Sequence, residues 1–406
     1  MLRIRGSRAY QNSAKTSDVR ILIGSAVPKD ATQGAAGTLC MTIDALRDLG
    51  HDVHEIWAKD LGVRRIQHGN LYYLAELPRR YRDVVRARAG TGSFDVIQLS
   101  QPHAWLAAKD HRRRRAQGVF VNRSHGWEGL AYCVTQRWDT TEAAKPPWRR
   151  LASRGLRQLL QRSEDRVVRY SDGLVVTSLD DQDFLSQRYG LPPERVLALP
   201  PGMPQEYLQS PVLPMTPERV RRWLYVGQFA PIKGPEIVAA MVNRVFPNQP
   251  QLRMTWVTQG DYHEQVRRLI APQLHDRVAL SDWMTREELV GTYDTHGIFV
   301  FPSYYEGFAK SFLEAMGRGL CVVATAVDGM RQAIRDGENG FLAAVGDVER
   351  LADQAARLSQ DPALAERISA AARATALTYT WKNSCQSLIR FYEQLLDGKQ
   401  AAKASC

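Results

Sequence analysis

One segment carries most of the information about the fold: Pro302-Ser303-Tyr304-Tyr305-Glu306-Gly307-Phe308-Ala309-Lys310-Ser311-Phe312-Leu313-Glu314-Ala315-Met316. It follows an apolar run, Ile298 to Phe301, that is typical of a buried β-strand. The strand is expected to end at Pro302, and a helical pattern begins near Ser311. Doubly wound α/β folds bind ligands at this kind of junction, at the carboxyl edge of the sheet. The segment therefore predicts such a sheet with a ligand site beside it.

Two carboxylates flank the predicted helix start. Glu306 lies in the turn, and Glu314 lies one helical turn past Ser311. Backbone amides at a helix start hold anions such as phosphate. A nucleotide sugar would suit this arrangement, with Glu314 accepting hydrogen bonds from the ribose hydroxyls and Glu306 facing the sugar. Taken alone, the E-x7-E spacing is more typical of two ordinary surface or helix-start carboxylates, and the surrounding fifteen residues reverse that preference in favour of the site.

The whole segment, with E-G-F at its first glutamate and E-A-M at its second, resembles the signature of glycosyltransferase family 4. The resemblance covers roughly residues 20–396. It implies an α/β protein of the GT-B fold, in which two Rossmann-like, doubly wound parallel-sheet domains face a cleft. It also implies retaining transfer of a sugar from a nucleotide diphosphate sugar to a hydroxyl acceptor.

The strand and helix pattern, together with this resemblance, predicts a domain organisation. Residues 58–90 are expected to be irregular, and residues 129–150 to form an insertion or loop over the acceptor side. The predicted units are a disordered basic arm (1–18), an N-terminal acceptor domain (19–205), a linker (206–218), a nucleotide-sugar domain (219–380), a helix that crosses back to the first domain (381–397) and a tail (398–406).

Charge is distributed unevenly along the 406 residues, whose net charge is +11. Residues 1–210 hold 32 Lys and Arg against 22 Asp and Glu, whereas residues 211–406 hold 22 against 21. The excess in the first half is either a solvated face or a surface for an anionic partner, namely a membrane with acidic lipids or a phosphorylated acceptor. Nucleic acid is not expected as a partner, because the aromatic residues are not interleaved as a stacking platform requires.

The remaining composition indicates a cytoplasmic protein, located peripherally at the inner membrane face. No apolar run approaches the ~20 residues of a membrane span, and no secretory signal is recognised. The five cysteines are scattered, and no pair has metal-ligand spacing. This usage fits a reducing compartment.

Two features of the first half are expected to reach the cleft. Gly34 and Gly37 lie in a loop between a strand and a helix, where small residues allow close approach to a ligand. His125 and Gly126 follow another strand. Without the resemblance, the glycine segment is also typical of a plain tight turn, and His125 is also typical of a hydrogen-bonded structural histidine. The resemblance places the glycine loop under the donor phosphates and His125 close to the transferred sugar.

In the second half, Gly227 to Gly234 resembles the family motif G-R-x-x-x-x-K-G, whose Arg and Lys both contact the diphosphate. Lys233 matches the motif, whereas Gln228 stands where Arg is usual. A charge-assisted hydrogen bond is about twice as strong as a neutral one, so Gln228 is expected to bind the diphosphate more weakly than Arg would. Lys310 is expected to supply the missing charge.

The remaining donor contacts are predicted at strand ends and at the helix start. Gly260, Trp283 and Met284 follow two neighbouring strands and would form the base pocket, where Trp283 either stacks on the base or packs in the protein. Asp328 and Gln332 depart from the Gly and Glu usual in the family. The donor-binding set comprises Gly34, Gly37, Gln228, Lys233, Gly260, Trp283, Met284, Phe308, Ala309, Lys310, Ser311 and Glu314.

The implied chemistry assigns catalytic roles to Glu306, His125 and Lys233. Lys233, Lys310 and the helix start would stabilise the charge on the leaving diphosphate, so neither a metal nor a cofactor is expected. No protein nucleophile is assigned, and front-side attack by the acceptor is favoured. The acceptor is expected to be a glycan or glycolipid, and the reaction to belong to surface polysaccharide, glycolipid or lipid-linked glycan synthesis. A glycan phosphorylase, a sugar-nucleotide epimerase and a non-catalytic GT-B scaffold that binds nucleotide without turnover remain as alternatives.

Overall fold

A computed structural model describes residues 18–31, 34–90, 92–138, 146–209 and 211–404. The predicted basic arm therefore lies outside the described residues except for Asp18. Gln33 and the last two residues of the predicted tail also lie outside them. Among the described residues, no helix is both long and apolar enough to cross a membrane.

The first sheet has six parallel strands in the order β2-β1-β3-β4-β5-β6. β3 and β4 are buried along their whole length, as expected for central strands covered by helices on both faces. The chain adds β2 on one side of β1 and β3 on the other, so the sheet reverses its winding there. The strands are β1 Arg20–Gly24, β2 Asp52–Ile56, β3 Val96–Ser100, β4 Val119–Arg123, β5 Gly173–Val176 and β6 Val196–Ala198.

The second sheet also has six parallel strands, in the order β12-β11-β10-β7-β8-β9. Its winding reverses between β7 and β10, which are neighbours. Ligands of such sheets bind outside the carboxyl ends of the strands at the reversal. The strands are β7 Arg222–Val226, β8 Arg253–Val257, β9 Val278–Ser281, β10 Ile298–Phe301, β11 Cys321–Thr325 and β12 Phe341–Ala343. The two sheets confirm the predicted α/β fold class.

Helices connect the strands of both sheets. The α-helices are Gly34–Asp48, Gly69–Leu71, Leu77–Ala89, Trp105–Arg113, Glu128–Trp138, Pro147–Tyr170, Leu179–Tyr189, Glu206–Gln209, Pro217–Val220, Pro235–Val245, His263–Leu269, Arg286–Thr295, Lys310–Gly317, Asp328–Ala333, Val348–Gln360, Pro362–Ala376 and Trp381–Ala404. Shorter helical turns are Ala58–Leu61, Tyr72–Glu76, Pro102–Ala104, Pro193–Arg195, Pro231–Lys233, Phe246–Asn248, Gly260–Tyr262 and Pro272–Arg277.

The last helix, Trp381–Ala404, packs against the first sheet. Its Cys385, Leu388 and Tyr392 belong to the same buried cluster as β1 and β3. The Tyr392 hydroxyl donates to Gln98 Oε1 at 2.7 Å. The chain thus leaves the second sheet and ends on the first, while the predicted domain boundaries themselves stay predictions.

Two segments differ from their predicted structure. Residues 58–90, predicted to be irregular, include helix Leu77–Ala89, because Leu77, Tyr81 and Val85 recur every four residues and are buried on one face. Five arginines on the same helix masked that pattern in the sequence. Residues 129–150, predicted to be an insertion or loop, lie largely in two helices, Glu128–Trp138 and Pro147–Tyr170, and residues 139–145 lie outside the described residues.

Candidate active site

The sheet reversal brings Lys233 and Glu306 together. Lys233 follows β7, Glu306 follows the neighbouring β10, and the Lys233 Nζ atom donates to Glu306 Oε1 at 2.5 Å. The Glu306 side chain is 7% exposed and that of Lys233 is 22% exposed. The carboxylate is therefore held by a charge-assisted bond at the carboxyl edge of the second sheet.

A glycine fixes the turn that carries Lys233. Gly234 has a φ of +66°, and a Cβ atom there would lie 2.4 Å from the carbonyl oxygen of Pro302. The Tyr304 backbone N–H donates to the Ile232 carbonyl at 2.9 Å. Only a residue without a side chain allows the two turns to approach so closely.

Glu306 has further partners within its own half of the chain. The Ser303 hydroxyl donates to Glu306 Oε1 at 2.9 Å, and the Glu306 backbone N–H donates to Asp328 Oδ2 at 2.9 Å. Asp328 has a φ of +41°, which is uncommon for a residue other than glycine. The turn of Glu306 is thus held by Lys233, Ser303 and Asp328 together.

Asp328 also connects the two halves of the molecule. Its backbone N–H donates to Asp180 Oδ2 at 3.0 Å, and Asp180 forms an ion pair with Arg331. Burial, together with the nearby Asp180 and Asp181 carboxylates, raises the pKa of Asp328 to about 8. Sequence reasoning noted Asp328 only as a departure from the family pattern. That substitution of a charged residue for glycine was the signal that could have indicated a structural role.

A tyrosine of the second half reaches into the first. The Tyr305 hydroxyl donates to Asp181 Oδ1 at 3.0 Å, and the backbone N–H of Trp127 donates to the same oxygen at 3.2 Å. Burial raises the pKa of Asp181 to about 6. Asp181 lies in the first turn of helix Leu179–Tyr189, and no feature of the sequence pattern pointed to its contact with Tyr305.

His125 lies directly across from the turn of Glu306. A Cβ atom on Gly307 would lie 2.9 Å from the His125 carbonyl oxygen and 2.6 Å from Thr177 Oγ1. Burial, followed by the positive charges of Arg123 and Lys310, lowers the pKa of His125 to about 3. The imidazole is therefore neutral near pH 7, and the first half meets the Glu306 turn at His125.

The helix start predicted near Ser311 is present as Lys310–Gly317. The Lys310 Nζ atom donates to the Gly34 carbonyl oxygen at 3.2 Å, so the predicted glycine loop and the predicted extra cation lie in contact. Burial lowers the pKa of Lys310, and the Glu314 carboxylate opposes that shift. The prediction of a loop at Gly34 and Gly37 is wrong, because both residues lie in helix Gly34–Asp48, whose first turns pack closely through the buried Ala36 and Gly37.

Glu314 and the adjoining apolar residues face the interior of the second half. The Tyr293 hydroxyl lies 3.3 Å from Glu314 Oε2 and 3.2 Å from the Ser311 carbonyl oxygen, and burial raises the pKa of Glu314. Phe308 is buried against Phe312, with ring centroids 5.4 Å apart, and Ala309 packs on the same apolar cluster. These side-chain and carbonyl contacts fix the position of the helix start.

The residues of the predicted base pocket form a second group. Asp282 Oδ1 accepts from the Gly260 N–H at 3.2 Å and from the Trp283 N–H at 2.7 Å. Trp283 is 50% exposed, whereas Met284 is partly buried against the apolar cluster that contains Phe308 and Phe312. Gln228 is exposed in the turn after β7. In the part of the chain that the structure describes, no hydrogen bond or ion pair links this group to Lys233 or Glu306.

Sequence models of known families match both halves of the chain. The model described as Glycosyltransferase Family 4 matches residues 32–207, and the model described as Glycosyl transferases group 1 matches residues 220–361. The D-inositol 3-phosphate glycosyltransferase of Frankia alni is 29% identical over 338 residues, which cover 77% of this chain and 78% of that protein.

Solved structures share the fold. The sucrose-phosphate synthase of Thermosynechococcus elongatus is 20% identical with a TM-score of 0.72, and the match covers 93% of this chain and all of that one. An Anabaena protein solved in complex with UDP and glucose is 16% identical with a TM-score of 0.65, over 92% of this chain and 98% of that one. These similarities show that the chain shares the fold of those proteins, with two parallel sheets.

Proposed function

The chain belongs to glycosyltransferase family 4 and has the GT-B fold, and on that premise we propose that it is a retaining enzyme that moves a sugar from a nucleotide diphosphate sugar to a hydroxyl acceptor. The observation that carries the proposal is the Lys233–Glu306 pair at the winding reversal of the second sheet. A cation and a carboxylate side by side at that edge suit a diphosphate joined to a sugar.

Lys233 is suited to bind the diphosphate while it keeps Glu306 in place. Its ammonium group has three N–H donors, and Glu306 Oε1 uses one of them. A second donor is therefore available for a phosphate oxygen. Glu306, oriented by Lys233 and Ser303, would then face the sugar hydroxyls and the positive charge that develops on the ring.

The negative charge of the leaving diphosphate has three stabilising groups near it. Lys233, Lys310 and the backbone amides at the start of helix Lys310–Gly317 come from adjoining turns. Preorganised donors aimed at developing charge are usually the largest single contribution to catalysis. Because these groups supply the positive charge that a metal ion would otherwise provide, we propose a metal-independent reaction without a cofactor.

The acceptor would approach from the first half, beside His125. Retention without an assigned protein nucleophile implies attack from the same face as the departing diphosphate, which takes the acceptor proton. In this scheme the neutral imidazole of His125 and its neighbouring backbone line the sugar site. The hydroxyl proton leaves on a phosphate oxygen, so the acceptor oxygen bonds to the anomeric carbon as the sugar–phosphate bond breaks.

Two classes of acceptor have support. The basic first half favours a glycolipid, lipid-linked glycan or surface polysaccharide, made by a cytoplasmic enzyme at the inner membrane face. The relatives named D-inositol 3-phosphate glycosyltransferase favour a phosphorylated cyclitol instead. A panel of both classes with each sugar donor would identify the acceptor by product formation.

Transfer assays on purified variants test the catalytic roles. Glu306→Gln and Lys233→Ala should each slow transfer more than about tenfold, because each removes a charge that stabilises the transition state. Glu338→Gln and Lys382→Ala change the same residue types at exposed positions and should keep the parent rate. Parent-like turnover in both site variants, with the fold intact by circular dichroism, would count against the assignment.

A non-catalytic scaffold is the second candidate, and Gln228 is the residue that favours it. A thermal-shift panel of nucleotide sugars separates the two functions when it is paired with the transfer assay. A donor at 100 times its Kd should add about 2.7 kcal/mol to the free energy of unfolding. Stabilisation without turnover on any acceptor would favour the scaffold.

A further inference from the structure

Helix Pro147–Tyr170 exposes an apolar stripe between residues 148 and 159. Trp148 is 65% exposed, Leu151 is 72% exposed and Leu159 is 45% exposed. Positions three and eight residues apart lie on one side of an α-helix, so these side chains form a single row. The exposed Gly155 lies in the same row, and the buried residues Val167 and Val168 mark the opposite side. Single exposed apolar residues are ordinary, but a row of three marks an interaction surface.

The same part of the helix is strongly basic. Residues 147–163 contain no Asp or Glu, and their five arginines are Arg149, Arg150, Arg154, Arg157 and Arg162. Arg149, Arg154 and Arg162 are exposed, whereas Arg157 forms an ion pair with Glu164 at 3.4 Å. The apolar row is therefore flanked by exposed positive charge.

A neighbouring element carries two more exposed apolar side chains. The turn Tyr72–Glu76 contacts helix Pro147–Tyr170. Next to that contact, Leu71 is 54% exposed and Tyr73 is 40% exposed. The Tyr73 ring stacks on His103, with centroids 4.7 Å apart, and His103 follows β3. Tyr73 therefore lies near the carboxyl edge of the first sheet, the edge where an acceptor would enter.

The combination of these features identifies the partner by its chemistry. An exposed Trp–Leu row flanked by arginines is typical of a helix that lies in the interface of a bilayer, where apolar side chains enter the acyl region and arginines meet acidic headgroups. Each Lys or Arg near an acidic lipid surface strengthens the attraction to it. A nucleic acid would leave the two leucines in water.

We propose that residues 148–162 of helix Pro147–Tyr170 dock on an anionic lipid bilayer, with Trp148, Leu151 and Leu159 in the interface and Arg149, Arg154 and Arg162 at the headgroups. This surface rests on the proposed function in one respect: it would hold the N-terminal half of the protein against a membrane that carries a lipid-linked acceptor. The binding itself does not depend on sugar transfer.

Co-sedimentation of the full chain with vesicles tests the proposal. Wild type should bind vesicles of phosphatidylcholine with phosphatidylglycerol and should not bind phosphatidylcholine alone. The double substitution Trp148→Ser and Leu151→Ser should weaken binding at least about tenfold, because it removes two of the three apolar side chains that enter the bilayer. The control, Leu213→Ser with Leu377→Ser, removes two leucines that are about half exposed elsewhere on the protein and should bind as wild type does.

Three results would overturn the proposal: equal binding to neutral vesicles, equal loss of binding in the control, or undiminished binding by the Trp148 and Leu151 variant. A second measurement locates the contact directly. Brominated lipids should quench the fluorescence of wild type more than that of Trp148→Leu, and equal quenching of both would also contradict it. Sugar transfer to a water-soluble acceptor should be unchanged in the double variant Trp148→Ser and Leu151→Ser. Loss of transfer and loss of docking are therefore separate outcomes.

Discussion

Lys233 and Glu306 are 73 positions apart in the chain, and yet their side chains meet. The sequence placed each of them at the end of a buried strand, but it could not show that β7 and β10 are neighbours. That adjacency follows from the winding of the sheet. The site therefore depends on single side chains whose proximity is set by strand order, while their roles in donor binding remain a proposal.

Asp328 shows what residue-by-residue comparison left out. Its carboxylate accepts from Glu306 N–H, and its own N–H donates to Asp180, which is 148 positions away. The first contact lies within the second half and the second contact joins the two halves, and no local pattern encodes either of them. Asp328 is therefore best described as a residue that positions the Glu306 turn.

The raised pKa of Asp328 gives a prediction for stability against pH. The folded chain keeps a proton on Asp328 up to about pH 8, whereas an unfolded Asp releases it near pH 4, so the free energy of unfolding should fall as pH rises between those values. Asp328→Asn cannot ionise and keeps an acceptor for Glu306 N–H. Its Tm relative to wild type should therefore increase from pH 5 to pH 8 in parallel thermal melts.

Comparison with wild type is needed here, because buried histidines act in the opposite direction. The lowered pKa of His125, about 3, makes the chain more stable as pH rises towards 6.5, and this contribution is common to both proteins. A Tm difference that does not change with pH would contradict the raised pKa of Asp328. Asp328→Gly, which has no acceptor for Glu306 N–H, should lose more transfer activity than Asp328→Asn.

At the scale of elements, the sequence was most informative where apolar runs were short and continuous. The predicted strand Ile298 to Phe301 is present with the same limits. Helix Leu77–Ala89 was missed because its many arginines lower the apolar contrast on which periodicity depends. Burial against the sheet, which is a tertiary effect, stabilises that helix.

The turn Pro231–Gly234 gives a prediction about an element. Gly234→Ala should destabilise the chain by more than the roughly 1–2 kcal/mol of a left-handed alanine, because its Cβ would also meet the Pro302 carbonyl at 2.4 Å. Gly337→Ala is the matched control, since Gly337 has a φ of +77° and open space around it. Urea unfolding of both variants measures the difference, and equal destabilisation would contradict the close contact.

At the scale of the molecule, the turn of Glu306 fits tightly into the first half. Gly307 faces Thr177, His125 and Gly126, and Tyr305 reaches Asp181. The sequence predicted two facing sheets through its family resemblance, and the sheets confirm that fold. The contacts that hold them together were beyond prediction, because each one joins residues more than a hundred positions apart.

A methyl group at Gly307 should separate the two halves. A Cβ there would lie 2.6–3.0 Å from atoms of the first half, two of them on the backbone, so Gly307→Ala should widen the cleft rather than unfold either half. The radius of gyration from small-angle X-ray scattering should increase, and transfer should fall. Gly291→Ala, at a position with open space, is the control. An unchanged radius and an unchanged rate in Gly307→Ala would argue against this contact.

The central claim is that Lys233 and its neighbours hold the diphosphate of a sugar donor, and a crystal structure with bound UDP or GDP tests it most directly. We expect a phosphate oxygen within hydrogen-bond distance of Lys233 Nζ, with the diphosphate also facing Lys310 and the amides at the start of helix Lys310–Gly317. A nucleotide bound elsewhere, or a Lys233 that turns away from it into solvent, would contradict the account.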